Sequence, residues 1–185
     1  WWKGTYGPVD ALRHGSFQVV SLLSTTGFTT ADYEQWPAAA QMLLYAVCFV
    51  GACAGSTSSG IKIIHYAILW KFMVGVVRKL FLQPLAVVSV RINEIRVDQA
   101  VIQMTVCYFI INIVLILGGG CILALTDELD PMSAMSAIVA TLFNIGPGFG
   151  DVGPTRNYAE FSTFAKWFLS WNMLVGRLEA FTALV

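Results

Sequence analysis

The sequence STTGFTT at residues 24–30 places several hydroxyl side chains around a single glycine, directly after an apolar run. The sequence NIGPGFG at residues 144–150 repeats this arrangement, again behind an apolar run. Glycine accepts backbone angles that turn successive carbonyl groups in one direction. Rings of backbone carbonyls replace the water shell of an ion in selective pores. Either stretch alone is typical of a polar turn between helices, whereas the two together predict an ion filter.

The composition indicates a membrane protein. Of the 185 residues, 57% are hydrophobic and 12% are charged, whereas a soluble domain carries about 25% charged residues. We therefore expect membrane lipid around the chain. The net charge of zero provides no basic footprint for a nucleic acid, so no nucleic-acid partner is expected. The chain begins with tryptophan and ends in an apolar run, and we expect it to be part of a longer protein.

The cysteines lie within apolar runs, and they lack the spacing of a zinc site with either histidine. We therefore predict that they are small buried side chains, and that the histidines are polar residues of the membrane interface. The cysteines are Cys48, Cys53, Cys107 and Cys121, and the histidines are His14 and His65.

A short helix is predicted before each glycine turn. Asp10 is expected to cap a helix that ends near Leu23, which at about 1.5 Å per residue is roughly 20 Å long. A bilayer core is about 30 Å thick, so the helix is predicted to be re-entrant. Asp130, followed by proline, predicts a second short helix that ends near Phe143. The two aspartates lie 17 and 16 residues before the glycine of their turns, which predicts an internal repeat.

A membrane helix with a break in its middle is predicted between residues 37 and 77. The apolar segments 37–50 and 61–77 are separated by GACAGSTSSG at residues 51–60. Such a run forms a poor helix, because glycine is flexible and short polar side chains compete for backbone hydrogen bonds. Non-helical backbone at membrane depth has to be buried in protein or to line a wet cavity. We therefore expect this loop to lie beside a cavity.

The distribution of charge predicts which segments face the cytoplasm. Residues 61–98 contain six of the eleven basic residues, which places this connection inside by the positive-inside rule. Residues 99–125 are uncharged and long enough to span a bilayer. The acidic and polar segments 31–36, 127–130 and 151–160 are predicted to face outward.

Arg177 lies in a final helix that is predicted from residue 161 to at least residue 185. An arginine in the middle of a membrane helix costs at least about 2.5–3.5 kcal/mol unless it meets water or a polar partner. Glu179, two residues later, points to another face of the same helix. Arg177 therefore either lines a pore or forms an ion pair with another helix, and the sequence leaves both interpretations open.

Two weak motifs for other functions are rejected. Residues 55–62 approximate a phosphate-binding loop, but the lysine is displaced by one position and no serine or threonine follows it. Ser59 and His65 could suggest a nucleophile and a base. Six residues along a helix rotate by about 240°, so these side chains would not face each other. We therefore expect that the chain is not an enzyme.

Four motifs occur in order along the chain, and together they resemble the Trk/Ktr/HKT potassium-transporter superfamily, in particular its bacterial Trk membrane subunits. The motifs are TTGFTT at 25–30, GACAGSTSSGIK at 51–62, NIGPGFG at 144–150 and GRLEAFTALV at 176–185. The resemblance implies an all-α integral membrane protein with repeats of membrane helix, re-entrant pore helix with filter loop, and membrane helix. Residues 1–80 would be the end of the third repeat, 81–98 a cytoplasmic connection, and 99–185 the fourth repeat.

The resemblance also implies a role for individual residues. The implied selectivity filter comprises Thr25, Thr26, Gly27, Phe28, Asn144, Ile145, Gly146 and Pro147. Potassium would be coordinated by the backbone carbonyls of Thr25, Thr26, Gly27, Asn144, Ile145 and Gly146. The implied gate comprises Gly51, Gly55, Ser56, Thr57, Ser58, Ser59, Gly60 and Arg177.

The function that the resemblance implies is potassium uptake across the bacterial inner membrane by a multi-pass protein. Potassium would be the substrate, and no covalent cofactor is expected. The family further implies a homodimer of full-length subunits and a cytosolic, nucleotide-binding regulatory subunit. Two alternatives stay open, a sodium-conducting member of the same superfamily and a structural or regulatory membrane subunit that does not conduct.

Overall fold

The computed structural model describes residues 6–51, 60–81, 91–92 and 95–178 of the chain, and α-helices make up most of this part. The helices are α1 (Pro8–Leu23), α2 (Ala38–Cys48), α3 (Ile63–Phe81), α4 (Gln99–Thr126), α5 (Pro131–Leu142) and α6 (Thr163–Arg177). Single 3₁₀ turns occur at Tyr33–Gln35, Gly150–Val152 and Tyr158–Glu160. The prediction of a helical protein is therefore confirmed.

One small hairpin was not predicted. Strand β1 (Arg91–Ile92) pairs antiparallel with strand β2 (Ile95–Arg96), and Arg91 lies opposite Arg96. The hairpin lies within the connection at residues 81–98. Strands of two residues are too short to show the alternation of apolar and polar residues by which strands are recognised in a sequence.

Helix α5 lies at the centre of the fold, between α4 and α6. Most of its residues are buried, from Ser133 to Leu142. Glycines in α4 allow the close approach of α5, since a β-carbon on Gly119 would lie 3.0 Å from Cδ1 of Ile138. A β-carbon on Gly120 would likewise lie 3.1 Å from Cγ of Met135. This short helix is therefore enclosed by protein, as the backbone turn at its end requires.

The start of α5 was predicted correctly and the start of α1 was not. Asp130 is the N-cap of α5, and its carboxylate accepts a hydrogen bond from the backbone N–H of Met132 (3.2 Å). Helix α1 instead begins at Pro8, with Gly7 as its N-cap, so Asp10 lies inside the first turn. Proline is well suited to the first helical position, because its φ angle is already helical and its missing N–H is not needed there. The carboxylate of Asp10 still carries a favourable charge for the helix N-terminus.

The predicted interruption between the apolar segments is present, because α2 ends at Cys48 and α3 begins at Ile63. The residues on the two sides of the break lie next to each other. Val50 and Ile61 form a parallel bridge, and the N–H of Gly51 donates to the carbonyl of Ile61 (2.8 Å). Residues 50 and 51 are therefore adjacent to residue 61. Residues 52–59 lie outside the described residues.

Among the described residues, α4 is the helix that is long and apolar enough to cross a membrane, with 28 residues. Helices α2 and α5 are apolar but shorter. The final helix begins with Ser162 as its N-cap, close to the predicted residue 161. It is described as far as Arg177 and its C-cap Leu178, so its predicted continuation to residue 185 lies outside the described residues. The re-entrant arrangement and the boundaries at residues 80 and 98 stay predictions.

Candidate ion filter

The first turn (residues 24–28) and the second turn (residues 143–147) have the same backbone hydrogen bonds to the helix before them. In the first turn the N–H groups bond as follows: Ser24 to Val20 (2.9 Å), Thr25 to Leu22 (3.1 Å), Thr26 to Ser21 (2.9 Å) and Gly27 to Ser21 (3.4 Å). In the second turn the bonds are Phe143 to Val139 (3.0 Å), Asn144 to Thr141 (3.1 Å), Ile145 to Ala140 (2.8 Å) and Gly146 to Ala140 (3.4 Å). Each donor and acceptor of one turn has a counterpart at the same position of the other.

The backbone angles repeat in the same way. Thr25 and Asn144 have φ angles of 53° and 52°, and Gly27 and Gly146 have φ angles of 76° and 103°. The left-handed region is easily reached by glycine and tolerated by asparagine, but it is rare for a β-branched residue such as threonine. Backbone strain of this kind is concentrated at functional sites. The two turns are therefore a constrained, duplicated backbone motif.

The repeat is aligned at the C-terminal ends of the helices rather than at their first residues. Helix α1 has 16 residues and α5 has 12, but they end at the corresponding residues Leu23 and Leu142. The repeat was predicted from the similar spacing between each aspartate and the glycine of its turn. The two aspartates do not share a role, because only the second one caps its helix. The part of the repeat that is preserved is the helix end together with the turn that follows it.

The two turns are in direct contact. An added β-carbon on Gly27 would overlap the carbonyl oxygen of Ile145 and lie 3.1 Å from Cδ of Pro147. Three of the residues predicted for the filter are thus brought together from distant parts of the sequence. Ile145 is buried, whereas Thr26, Phe28 and Gly146 are exposed. The other predicted filter residues, Thr25, Gly27, Asn144 and Pro147, are half-buried.

Side chains also bind carbonyl groups in and after the second turn. The hydroxyl of Tyr158 donates to the carbonyl of Gly146 (2.9 Å), and the hydroxyl of Tyr33 donates to the carbonyl of Gly148 (2.6 Å). The hydroxyl of Ser136 donates to the carbonyl of Phe149 (2.8 Å). Gly146 was predicted as an ion ligand, and its carbonyl has two lone pairs, so one remains when Tyr158 takes the other.

The segment at residues 31–36 was predicted as an acidic, aromatic stretch at the outer surface, but part of it is buried. Tyr33 is fully buried, and its ring lies 5.0 Å from that of Phe149. Glu34 accepts a hydrogen bond from the N–H of Gly150 (2.5 Å). Sequence reasoning missed these residues and Tyr158, because a tyrosine in a polar loop has no signal that identifies its distant partner.

Elements predicted for the gate lie next to the end of α5. A β-carbon on Gly60 would lie 3.8 Å from Cβ of Phe143, and one on Gly176 would overlap the carbonyl of Leu142. Arg177 follows as the last residue of α6, and its side chain is exposed. Gly51 lies against Gly60, since a β-carbon added to Gly51 would lie 3.0 Å from the carbonyl carbon of Gly60. The predicted gate residues 55–59 lie outside the described residues.

Amide side chains fix α6 against α5 at the same level. The amide nitrogen of Asn172 donates to the carbonyl of Ile138 (3.1 Å) and to the hydroxyl of Thr141 (3.0 Å). The amide nitrogen of Asn144 donates to the carbonyl of Met173 (3.1 Å). The helix that carries Arg177 is thereby held to the second turn by polar as well as apolar contacts.

The prediction for the cysteines was only partly correct. Cys48 is buried, whereas Cys107 and Cys121 are exposed on α4, and Cys53 lies outside the described residues. The sequence could not separate these cases, because α4 is apolar on every face and gives no periodic signal for its buried side. Within the described residues, no group of three or more His, Cys, Asp or Glu side chains could hold a metal ion.

Comparison with known proteins gives matches over nearly the whole chain. Residues 5–185 match the TrkH family, described as cation transport protein. The Trk system potassium uptake protein TrkH of Halomonas elongata is 36% identical over 188 residues, which cover 100% of this chain and 38% of that protein. TrkH of Escherichia coli K12 is 35% identical, with the same coverage of both chains.

A solved structure is also similar. The crystal structure of the potassium transporter TrkH from Vibrio parahaemolyticus matches with a TM-score of 0.84 and 35% sequence identity, over 96% of this chain and 37% of that one. The chain thus spans less than half the length of the relatives that it matches. The family is one of transporters, which confirms the prediction that the chain is not an enzyme. The chain is a member of the TrkH family of cation transport proteins, and it is a membrane protein.

Proposed function

We propose that this chain contributes two segments of a potassium-selective filter to a Trk-type potassium uptake transporter. The observation that carries the proposal is the duplicated turn, with its matching hydrogen bonds and left-handed residues at Thr25 and Asn144. The relatives are named as Trk system potassium uptake proteins. Because the chain covers 38% of their length, the complete pore would include segments beyond these residues.

The physical basis of the filter would be a cage of backbone carbonyls that replaces the water around a potassium ion. The turn N–H groups are bonded back to the ends of α1 and α5, so these donors do not occupy the carbonyls of the turns themselves. The C-terminal ends of both helices lie at the turns. The negative end of the helix dipole lies there, and it favours a cation.

We propose a gate at the inner side of this filter, formed by the loop at residues 51–60 and Arg177. The support is that Gly60 and Gly176, one from each element, both lie against adjacent residues at the end of α5, Phe143 and Leu142. The loop would narrow the pore, and the guanidinium of Arg177 would add an electrostatic barrier to cations. A role of Arg177 in an ion pair is the competing interpretation.

The assembly that we propose follows from the family. The transporter would lie in the bacterial inner membrane as a multi-pass protein, as a homodimer, with a cytosolic nucleotide-binding regulatory subunit. The connection at residues 81–98, with its basic residues, would face that subunit. A sodium-conducting transporter is the alternative within the same fold. A non-conducting subunit is disfavoured, because both turns keep their glycines at positions 27 and 146.

The experiment uses the full-length transporter in a bacterial strain without its own potassium uptake systems. Growth at low potassium and uptake of rubidium, with and without excess sodium, would be measured per molecule of transporter in the membrane. Gly146→Ala should reduce uptake about tenfold or more, because alanine disfavours the left-handed backbone at this position. Gly15→Ala is the matched control, since an added β-carbon at Gly15 has no heavy atom within 4 Å and α1 is helical there.

Equal uptake by the two variants would contradict the filter. Uptake that is blocked by sodium as strongly as by potassium would favour the sodium-conducting alternative. Gly153, in the loop after the second turn, is not a suitable control, because a β-carbon there would lie 2.6 Å from Cδ of Glu34. Substitution of Gly153 would therefore disturb its contact with Glu34, and this effect would be independent of the filter.

A further inference from the structure

Two tyrosine hydroxyl groups hold alternate carbonyls of the backbone that follows α5. Tyr158 donates to the carbonyl of Gly146 (2.9 Å), and Tyr33 donates to the carbonyl of Gly148 (2.6 Å). Tyr33 comes from the segment after the first turn, and Tyr158 comes from the loop after the second turn. We call these two residues the tyrosine pair. One bonds a carbonyl of the second turn, and the other bonds a carbonyl directly after that turn.

Both rings are held in place by their own surroundings. Tyr33 is fully buried and packs against Phe149 at 5.0 Å between ring centres, while Tyr158 meets Phe161 edge to face at 5.4 Å. Each tyrosine also begins a 3₁₀ turn whose preceding residue caps it, namely Asp32 before Tyr33 and Asn157 before Tyr158. Ring packing and the capped turns therefore fix the positions of both hydroxyl groups.

At Gly146 the backbone N–H bonds to the carbonyl of Ala140 (3.4 Å), and the carbonyl accepts the bond from Tyr158 (2.9 Å). An added β-carbon at Gly146 would have no heavy atom within 4 Å, and the residue is exposed. Because residue 146 has no side chain of its own to pack, the hydrogen bond from Tyr158 is a contact that acts directly on the direction of its carbonyl group. The end of the first turn is held differently, because the hydroxyl of Ser21 donates a hydrogen bond to the carbonyl of Phe28 (2.7 Å).

We propose that the tyrosine pair positions two carbonyls, that of Gly146 in the second turn and that of Gly148 directly after it, and thereby sets the preference of the filter for potassium over sodium. The inference rests on the proposed function, since it assigns positioning residues to the same filter. Discrimination between ions of different size depends on the number and geometry of the carbonyls that surround them. A carbonyl released from its tyrosine can move toward a smaller ion, so the loss of the hydroxyl should favour sodium more than it impairs potassium.

The test replaces each tyrosine by phenylalanine in the full-length transporter, which removes the hydroxyl and keeps the ring. The readout is the ratio of potassium to sodium inhibition of rubidium uptake, measured per folded molecule in the membrane. Tyr66→Phe is the matched control, because it too removes a tyrosine hydroxyl from a backbone carbonyl, that of Phe49 (2.8 Å). A neutral hydrogen bond contributes a factor of about two to ten, so the ratio should fall by this amount in Tyr158→Phe.

A fall of the ratio in Tyr158→Phe and Tyr33→Phe, with an unchanged ratio in Tyr66→Phe, would support the proposal. An unchanged ratio in both tyrosine-pair variants would overturn it, even if the amount of folded protein fell, because the hydroxyls would then be merely structural. An equal fall in Tyr66→Phe would also overturn it. If Gly146→Ala leaves uptake unchanged, the filter itself is wrong, and this outcome is distinct from a failure of the tyrosine pair alone.

Discussion

Gly27 packs directly against the carbonyl group of Ile145, so that a β-carbon at position 27 would overlap the carbonyl oxygen. Gly146, the corresponding residue of the second turn, has open space around an added β-carbon. Both residues have positive φ angles, 76° and 103°. Glycine is therefore required at position 146 by the backbone angle alone, and at position 27 by the backbone angle and by the contact between the turns.

We predict that Gly27→Ala is more harmful than Gly146→Ala. The added methyl group at position 27 would push apart the two turns, and overpacking of this kind costs about 1–3 kcal/mol in addition to the strained φ angle. Rubidium uptake and the thermal stability of the purified full-length transporter would be measured together. Both should fall for Gly27→Ala, whereas Gly15→Ala should leave both near the wild-type values. A stability of Gly27→Ala equal to that of Gly146→Ala would count against the contact.

Local signals made the main elements of this fold predictable. The helix start at Asp130 follows from a capping carboxylate before proline, and the break after Cys48 follows from a run of small and polar residues. The two turns were found from their glycines and their apolar flanks. Each of these features is specified by neighbouring residues, so the sequence carries it without reference to the rest of the fold.

Features that depend on distant contacts were not predictable. The bond from Tyr33 to Gly148 joins residues 115 positions apart. The same limit applies to the exposed side of α4, because a helix that is apolar all round does not indicate where its neighbours lie. Asp10 shows a different limit, since a capping aspartate and a proline two residues earlier compete for the same helix start.

The contact between α6 and the end of α5 gives a prediction on stability. A β-carbon on Gly176 would overlap the carbonyl of Leu142, whereas one on Gly118 in α4 would meet no heavy atom within 4 Å. Gly176→Ala should therefore separate α6 from α5 and lower the thermal midpoint of the transporter in detergent. Gly118→Ala should leave the midpoint unchanged or raise it slightly, because alanine favours a helix over glycine. The same midpoint for both variants would show that α6 is free to shift.

The predicted topology can be tested by labelling single cysteines in a cysteine-free background. Asp98 precedes α4 and its side chain does not cap the helix, and Thr155 lies exposed in the loop at residues 151–160. Asp98→Cys should be labelled only from the cytoplasmic side, and Thr155→Cys only from outside. Intact cells and inverted vesicles would be treated with a reagent that does not cross membranes. Labelling of both positions from the same side would exclude the re-entrant arrangement, since it requires α5 to return to the face that it entered.

The gate gives the last prediction, which separates the two interpretations of Arg177. Arg177 follows Gly176, the residue that contacts the carbonyl of Leu142, and Gly60 at the base of the loop lies beside Phe143. If the guanidinium is a barrier to cations, Arg177→Ala should raise basal rubidium flux and weaken its dependence on the regulatory subunit. Arg177→Lys keeps the charge and should stay close to wild type.

Shortening the loop at residues 51–60 should have the same effect as Arg177→Ala if the two act as one gate. Flux would be measured per folded molecule, with and without the regulatory subunit. The result that contradicts the gate is a lower amount of folded protein in Arg177→Ala with unchanged flux per molecule. Arg177 would then be a structural ion-pair residue, because a charge that loses its partner at membrane depth destabilises the fold rather than the closed state.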